Sequence, residues 1–215
     1  MAESTAFKDR INEGIVRYYG EGLGALVPSF DGPAFIAEVA PALEPLELKD
    51  RVRLIAAKLH AHLDGDYLKG LEAFSGMLKE GGGKDANSAH FFDHWPMAQF
   101  VEDFGLEHFE ESIAAMKEIT RSFSCEFAIR PFLIRYPQET LEVLRGWAKD
   151  EDVHVRRNAS EGIRPRLPWG ARLYDFVKDP KPVFEILDML RKDPEEYVRR
   201  SVSNCMNDVA KDPPE

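Results

Sequence analysis

Three acidic side chains in the C-terminal half of the chain stand where a carboxylate is unexpected. Glu126 interrupts an otherwise apolar stretch, Glu161 follows Arg157 by four positions, and Asp208 lies near the end of the last predicted helix. A spacing of four places Arg157 and Glu161 on one helix face. Carboxylates repel phosphate groups, so a surface that only bound a polyanion would not need them. Their presence beside arginines predicts a site that holds a positive charge at the surface of a polyanion.

Arginines and one tryptophan are concentrated around the second of these acids. The 14 residues from 156 to 169 contain Arg156, Arg157, Arg164, Arg166 and Trp169. Pro165 and Pro168 are expected to end the helix and to present Arg166 and Trp169 from a rigid turn. Arginines suit contacts with a phosphate backbone, and a tryptophan suits a stacking or sugar contact. The alternative is an intrahelical salt bridge beside a tryptophan that belongs to the core.

A helical unit that occurs twice must position these side chains. Residues 149–160 align without gaps on residues 192–203, which lie 43 positions later, and Arg200 takes the place of Arg157. A period near 40 built from two helices is typical of HEAT-type solenoids. The second helices of successive units line the concave face of such solenoids. We therefore expect the three acids to lie on three consecutive second helices and to converge.

Apolar spacing predicts helices along the whole chain and no strand. The predicted helices cover 7–19, a segment from 33 onward, 46–63, 66–79, 96–104, 107–121, 124–136, 137–149, 152–164, 180–191 and 194–210. Asp193 before Pro194 is a helix start signal, and Asp150 occupies the same place in the earlier copy. The predicted fold class is all-α, a HEAT-like repeat α-α superhelix (solenoid) with a concave DNA-binding face. We expect one domain over 1–215, with an N-terminal helical cap over 1–85, clearer repeats over 90–215 and a flexible connector at 81–85.

Composition indicates the compartment. The two cysteines, Cys125 and Cys205, fit neither a disulfide framework nor a zinc site, which favours a reducing compartment. The first residues lack the pattern of a signal peptide, and no apolar run approaches the roughly 18 residues of a membrane helix. We therefore expect a soluble, cytoplasmic protein that does not bind a membrane.

The net charge of −10 is unevenly distributed. Residues 1–120 hold 11 basic against 21 acidic side chains, whereas residues 121–200 hold 16 against 14. A polyanion-binding face needs local positive potential rather than a positive total. The repeat region can supply that potential, although an unevenly charged solvated surface would have the same composition.

Five short motifs carry a more specific signal. They are FFDHWP at 91–96, EFAIRPF at 126–132, VRR at 155–157, SEGIRPRLPW at 160–169 and YVRRSVSN at 197–204. Together they resemble the AlkC branch of the bacterial AlkC/AlkD DNA-alkylation-repair glycosylases. The similarity runs from about residue 5 to the end of the chain, and the motif that ends at Trp169 is the most specific.

The resemblance implies a HEAT-like solenoid that grips duplex DNA and removes N3-alkylated bases, leaving an abasic site. The expected substrates are 3-methyladenine and, as a second base, 3-methylcytosine. By position, the family's functional acids match Glu126, Glu161 and Asp208, which are the expected catalytic residues. The expected DNA-binding residues are Arg156, Arg157, Arg164, Arg166, Trp169 and Arg200. The expected partner is alkylated double-stranded DNA, bound by a monomer at the nucleoid of a bacterial cell.

The chemistry of such a reaction agrees with these residue types. An N3-alkylated adenine is already cationic, so it departs as a neutral base while the sugar becomes oxocarbenium-like. One carboxylate can stabilise that cation and another can orient the attacking water. No metal and no other cofactor is required. The division of these roles among the acids stays open at this point.

Two other function classes are compatible with a helical repeat chain. One is a DNA-binding solenoid without catalysis, and the other is a HEAT scaffold for a protein partner. The retained acids and Trp169 argue against the first, and the arginine-rich stretch separates the second from both DNA-directed classes. Family members usually continue beyond the position that corresponds to residue 215, so we expect that a C-terminal extension is missing here.

Overall fold

After the first helix, the helices of the N-terminal part begin and end close to where apolar spacing located them. The computed structural model describes residues 7–81 and 91–211. Two compact units divide the chain, Met1–Gly105 and Leu106–Glu215. The predicted change from cap to repeats lies near residues 82–90, outside the described residues, as does most of the predicted connector at 81–85. Within the described ranges the chain is all-α and contains no strand, which confirms the predicted fold class.

The first unit consists of five α-helices and two short 3₁₀ helices among its described residues. They are a 3₁₀ helix at Phe7–Arg10, α1 at Glu13–Leu26, α2 at Gly32–Ala42, α3 at Leu48–His62, α4 at Tyr67–Gly81, a 3₁₀ helix at Phe91–His94 and α5 at Trp95–Phe104. Its core contains an aromatic cluster, in which the buried ring of Phe74 meets those of Tyr19 and Phe100 edge to face. The helix predicted over 7–19 in fact begins at Glu13. Asn12 caps it, and its side chain accepts a hydrogen bond from Gly14 N at 2.8 Å.

A buried arginine ties the loops of the first unit together. Arg51 on α3 donates from Nε to Leu46 O at 2.9 Å and from Nη1 to Lys8 O at 3.1 Å and Ile11 O at 2.9 Å. A buried guanidinium is tolerated only where its donors find acceptors. Here the acceptors are backbone carbonyls in and just after the 3₁₀ helix at Phe7–Arg10 and in the loop before α3.

The second unit contains the repeats. Its helices are α6 at Phe109–Thr120, α7 at Ile129–Arg135, α8 at Pro137–Trp147, α9 at Val153–Gly162, α10 at Tyr174–Lys178, α11 at Lys181–Leu190 and α12 at Glu196–Ala210. Helix α9 packs against α6 on one side and α12 on the other, while α8 packs against α11. The pairs α8–α9 and α11–α12 are therefore consecutive two-helix repeats with α9 and α12 in one row, as the 43-residue alignment predicted.

Equivalent residues make equivalent contacts in the two repeats. The carboxylate of Asp150 accepts Asp152 N at 2.9 Å, and that of Asp193 accepts Glu195 N at 2.9 Å. Each of these carboxylates also binds a cation from the preceding inner helix. Lys117 Nζ lies 2.6 Å from Asp150, and Arg156 Nε lies 2.7 Å from Asp193. The predicted equivalence of Asp150 and Asp193 is confirmed, although both close the turn before a helix rather than capping its first residue.

Two local predictions for this unit were wrong. The helix expected over 124–136 forms only at Ile129–Arg135, and residues 121–128 are turns and bends. Helix α10 was not predicted, because its five residues are too few to show a helical period. In the described ranges, no helix is long and apolar enough to cross a bilayer.

Candidate active site

The three predicted acids come together in the second unit, from three different elements. Glu161 lies on α9 and Asp208 on α12, so these two belong to neighbouring inner helices as expected. Glu126 lies in the turn that precedes α7, not on a second helix. The prediction of convergence is therefore confirmed, whereas the placement of Glu126 on a helix is corrected. A turn brings its carboxylate to α9 because the chain reverses there.

Arg157 joins two of the acids. Its Nη1 donates to the carboxylate of Glu126 and, at 2.9 Å, to Ser124 Oγ. The Ser124 hydroxyl donates in turn to Glu126 Oε2 at 2.8 Å, which holds that carboxylate from a second direction. On its other side Arg157 Nη2 lies 3.5 Å from Glu161 Oε2, one helical turn away on α9.

Arg164 joins Glu161 to the remaining acid, Asp208. Its Nη1 lies 2.5 Å from Glu161 Oε1, and its Nε donates to Asp208 Oδ2 at 2.7 Å. The five side chains thus alternate in charge, in the order Glu126, Arg157, Glu161, Arg164 and Asp208, which we call the charge ladder. With three carboxylates and two guanidinium groups, these five side chains carry a formal net charge of −1, and the exposed ammonium group of Lys211 lies 3.8 Å from Asp208 Oδ1 at one end of the ladder.

Burial strengthens these ion pairs. Glu161 and Asp208 are only 4% and 3% exposed, and the two arginines are largely covered. Burial alone would lower the pKa of Arg157, but the charges of Glu126 and Glu161 outweigh it and raise the pKa. The same balance raises the pKa of Arg164, for which the Asp208 hydrogen bond and the Glu161 charge outweigh burial. Both arginines therefore stay cationic.

The buried hydroxyl group of Ser201 also holds the carboxylate of Glu161. Ser201 on α12 donates to Glu161 Oε2 at 2.6 Å, and Ser160 Oγ lies 2.7 Å from Ser201 Oγ. Ser201 aligns with Asn158 of the preceding repeat, which donates to Thr120 Oγ1 at 3.0 Å. A small polar residue at the same place in both copies was the sequence signal for this contact. It was missed because serine is ordinary on a helix surface.

Tyr197 covers the open side of Arg157. The Arg157 guanidinium carbon lies 5.3 Å from the centroid of its ring, within the range of a cation–π contact. The ring is 41% exposed, so it forms part of the surface beside the ladder. Burial of the remainder raises the pKa of the Tyr197 phenol, and the hydroxyl stays protonated at neutral pH.

The loop after α9 presents Trp169 to solvent. Gly170 N donates to Leu167 O at 3.1 Å, which closes a turn with Pro168 and Trp169 at its centre. Trp169 has φ +65°, a region that favours glycine, and its side chain is 62% exposed. A non-glycine residue in this region costs about 1–3 kcal/mol and persists only where its surroundings impose it. Trp169 is therefore not a core residue, and the predicted rigid turn is present.

The other predicted DNA-binding arginines have different surroundings. Arg156 is committed to the repeat interface, because it pairs with Asp193 and donates to Asp150 O and Glu151 O at 3.0 and 2.8 Å. Arg200 is exposed and pairs with Glu196 one turn earlier on α12. Arg166 is half-buried in the loop after α9. Among the described residues, no group of three or more His, Cys, Asp or Glu is placed to hold a metal ion.

Comparison with known proteins agrees with this geometry. Residues 90–215 match the sequence profile of the family described as DNA alkylation repair enzyme. The chain belongs to this family, which the resemblance of its motifs had indicated.

Two individual relatives extend the similarity over nearly the whole chain. The uncharacterized protein YhaZ of Bacillus subtilis (strain 168) is 35% identical over 210 residues, which are 96% of this chain and 56% of YhaZ. The structure of the Pseudomonas fluorescens alkylpurine DNA glycosylase AlkC, bound to DNA containing an abasic site analog, superimposes with a TM-score of 0.87 at 36% identity. It covers 97% of this chain and 56% of AlkC. The chain thus spans a little over half the length of both relatives and shares the helical repeat fold of AlkC.

Proposed function

We propose that this protein is a DNA glycosylase that releases N3-alkylated, positively charged bases from duplex DNA. The proposed substrates are 3-methyladenine and 3-methylcytosine, and the proposed product is an abasic site. One observation carries the proposal: a buried charge ladder with a net charge of −1 lies in a unit rich in arginine, beside a loop that exposes a tryptophan. Membership of the DNA alkylation repair family and the fold shared with AlkC support it.

The net negative charge suits the cation that forms during base release. Cleavage of the N-glycosidic bond of a cationic base leaves the positive charge on the sugar. A carboxylate that is already held in place stabilises that charge without reorganisation. Glu161 fits this role, because Arg164, Ser201 and Arg157 hold it from three sides.

Water activation falls to a different acid. Glu126 is the most exposed of the three carboxylates, and among the described residues Ser124 and Arg157 hold it. A water molecule can therefore reach its carboxylate, which would orient and deprotonate that water as the sugar cation forms. Asp208 holds Arg164, and Arg164 in turn holds Glu161. In this proposal Asp208 therefore acts indirectly, through the position of Glu161. In this proposal Trp169 lies against the sugar of the lesion, and Arg166 and Arg200 face the phosphate backbone, whereas Arg157 holds Glu126 and Glu161.

Two charge-removing variants test the proposal. Glu161→Gln and Glu126→Gln keep the shape of each side chain but remove its charge. We expect each to slow the release of 3-methyladenine from duplex DNA about 10²- to 10³-fold, as for other electrostatic contacts to a transition state. The measurement is single-turnover release of free base at saturating enzyme, so that weaker DNA binding does not contribute.

Glu142→Gln is the matched control. Glu142 lies on the exposed side of α8 in a surface ion pair with Arg145, and its replacement should leave release unchanged. A native chain that binds duplex DNA but releases no base would contradict catalysis and indicate a non-catalytic DNA-binding protein. A chain without affinity for DNA would favour a protein-interaction scaffold.

A further inference from the structure

The exposed turn that carries Trp169 is held by a buried arginine on α7. Arg130 lies in the first turn of α7 and is 1% exposed. Its Nη1 donates to Gly162 O and to Arg164 O, both at 2.9 Å, and its Nε donates to Ala171 O at 2.6 Å. One guanidinium group therefore connects the C-terminal end of α9 with the backbone segment that follows Trp169.

The two sides of this contact matter for different reasons. Gly162 and Arg164 lie where α9 ends, and carbonyl groups at a helix end lack intrahelical partners and favour a cation. Ala171 lies two residues after Trp169, whose backbone is in the strained region with φ +65°. Such a conformation persists only if the surroundings impose it. The bond from Arg130 to Ala171 O is one of the contacts that does so.

Gly170 shows how closely the arginine and the turn are packed. A Cβ atom at Gly170 would lie 3.0 Å from Arg130 Nε and 3.2 Å from Arg130 Cδ. A side chain larger than that of glycine would therefore require Arg130 or the turn to shift by a few tenths of an ångström. Arg130 and Gly170 form one contact, and each can be tested from its own side.

We propose that Arg130 is a positioning residue that sets the place of Trp169 relative to Glu161. The inference rests on the proposed function, since it assigns Arg130 a part in base release through two residues of that site. Arg130 touches neither the base nor the sugar in this proposal. It acts through the carbonyl groups at the end of α9, which carries Glu161, and through the turn that carries Trp169.

Lysine cannot replace the arginine in this role. The planar guanidinium presents donors along two edges and reaches acceptors on both sides, whereas a lysine ammonium is a single point. Arg130→Lys keeps the positive charge but loses the simultaneous contact with the two segments. Gly170→Ala leaves Arg130 intact and pushes the turn away from it, so it serves as a second variant if Arg130→Lys does not fold.

Arg51→Lys is the matched control for stability. Arg51 is also a buried arginine that donates to several backbone carbonyls, but it belongs to the first unit. Its replacement should lower the melting temperature to an extent similar to that of Arg130→Lys. It should not slow base release by more than about 2-fold at a temperature where the protein is folded.

The turn itself can be observed through its tryptophan. The chain has three tryptophans, and Trp169 is 62% exposed while Trp95 and Trp147 are 3% and 4% exposed. In protein labelled with 5-fluorotryptophan, ¹⁹F NMR gives one resonance for each, and Trp169→Phe assigns the third. We expect Arg130→Lys and Gly170→Ala to shift and broaden the Trp169 resonance and to leave that of Trp147 in place.

Base release supplies the second readout. Displacement of a positioning group by about 1 Å can cost on the order of 10²-fold in rate, so we expect a 10- to 100-fold slower single-turnover release from Arg130→Lys. An unmoved Trp169 resonance in folded Arg130→Lys and Gly170→Ala would overturn the inference. So would an Arg51→Lys variant that slows release as much as Arg130→Lys. If the native chain released no base, the proposed function would fail, while the ¹⁹F measurement would still decide whether Arg130 holds the turn.

Discussion

Each carboxylate oxygen of Glu161 has a donor of its own. Oε1 faces Arg164, whereas Oε2 accepts from Ser201 at 2.6 Å and lies 3.5 Å from Arg157. A carboxylate with this many partners in a buried place keeps one orientation, because any rotation would leave a charged oxygen without a donor. The position of the negative charge is therefore set before substrate arrives.

A Ser201→Ala variant tests how much the orientation of the Glu161 carboxylate depends on a single hydroxyl group. Ser201→Ala removes the shortest uncharged contact to Glu161 Oε2 and leaves that oxygen partly unsatisfied. We expect a loss of about 1–3 kcal/mol in the free energy of unfolding, the usual cost of an unpaired buried polar group. We also expect base release to become about 10-fold slower, measured under single-turnover conditions.

Ser203→Ala provides the comparison on the same helix. The Ser203 hydroxyl donates to Arg199 O at 3.0 Å on the exposed side of α12, so its loss should change neither quantity appreciably. Equal effects of the two variants would show that the Ser201 hydroxyl has no special relation to Glu161.

At the scale of elements, the inner helices are joined by ion pairs as well as by apolar packing. Arg156 on α9 binds Asp193 in the turn before α12 through two bonds of 2.7 and 3.2 Å. Burial alone raises the pKa of Asp193, but hydrogen bonds from Arg156 and from Glu195 N outweigh it, so the pKa lies below its usual value. The pair therefore stabilises the stacking of consecutive repeats.

The lowered pKa of Asp193 predicts that the loss of stability in Asp193→Asn depends on pH. A lowered pKa in the folded state adds stability that is fully present above the unfolded pKa, near 3.9, and that is lost as pH falls through the folded pKa. At pH 7 we expect the variant to be less stable by about 2 kcal/mol, the typical value for hydrogen bonds to a charged group. The difference from the native chain should shrink as pH falls below about 4. Urea unfolding at several pH values measures it.

A surface carboxylate in the same unit supplies the control. Asp188 pairs with Arg191 on the exposed side of α11, and Asp188→Asn should change stability by less than about 0.5 kcal/mol at any of these pH values. If the Asp193→Asn deficit persisted unchanged at pH 3, the ion pair would not be its cause.

The accuracy of the sequence predictions varied with the length of the element. Long amphipathic helices such as α3 and α12 were located within a few residues, because apolar side chains recur over several turns. The segment over 124–128 was wrongly predicted as helix, since an apolar stretch has no period that separates a buried turn from a helix. The 43-residue repeat located Glu161 and Asp208, but only coordinates show that Arg157 and Arg164 lie between the acids. Arg130 gave no separate signal, because its partners are distant in sequence, and the signal for Ser201, a small polar residue in both repeats, was too weak to single it out.

At the scale of the whole molecule, the net charge of −10 has to be reconciled with the proposed polyanionic substrate. The proposed DNA contacts lie in the stretch with 16 basic and 14 acidic residues, whereas the excess of acid lies in residues 1–120. A local surface then attracts DNA while the remainder repels it. Such a protein should bind DNA with few phosphate contacts and a modest dependence on salt.

Arg200→Ala measures one of those contacts. Arg200 is exposed and its pair with Glu196 is a surface pair, so its removal should leave the melting temperature unchanged. If Arg200 binds a phosphate, the slope of log K against log salt should become shallower by about 1. Fluorescence anisotropy of a labelled duplex at several salt concentrations measures the slope.

Arg191→Ala has the same change in charge on the exposed end of α11 and should leave the slope as it is. Identical slopes for native chain, Arg200→Ala and Arg191→Ala would place the DNA-binding surface elsewhere.

The charge ladder also constrains how this family can diverge. Each arginine in it serves two acids, so the loss of one arginine leaves three carboxylates with a single cation, whereas the loss of one acid leaves two carboxylates with two cations. Residues in such a network are energetically coupled, and their substitutions do not add. A lineage that abandoned catalysis would therefore lose an acid before it lost an arginine. We expect inactive descendants to keep both arginines where one acid has been replaced, and to replace an arginine only together with an acid, which leaves a recognisable order of replacements in their sequences.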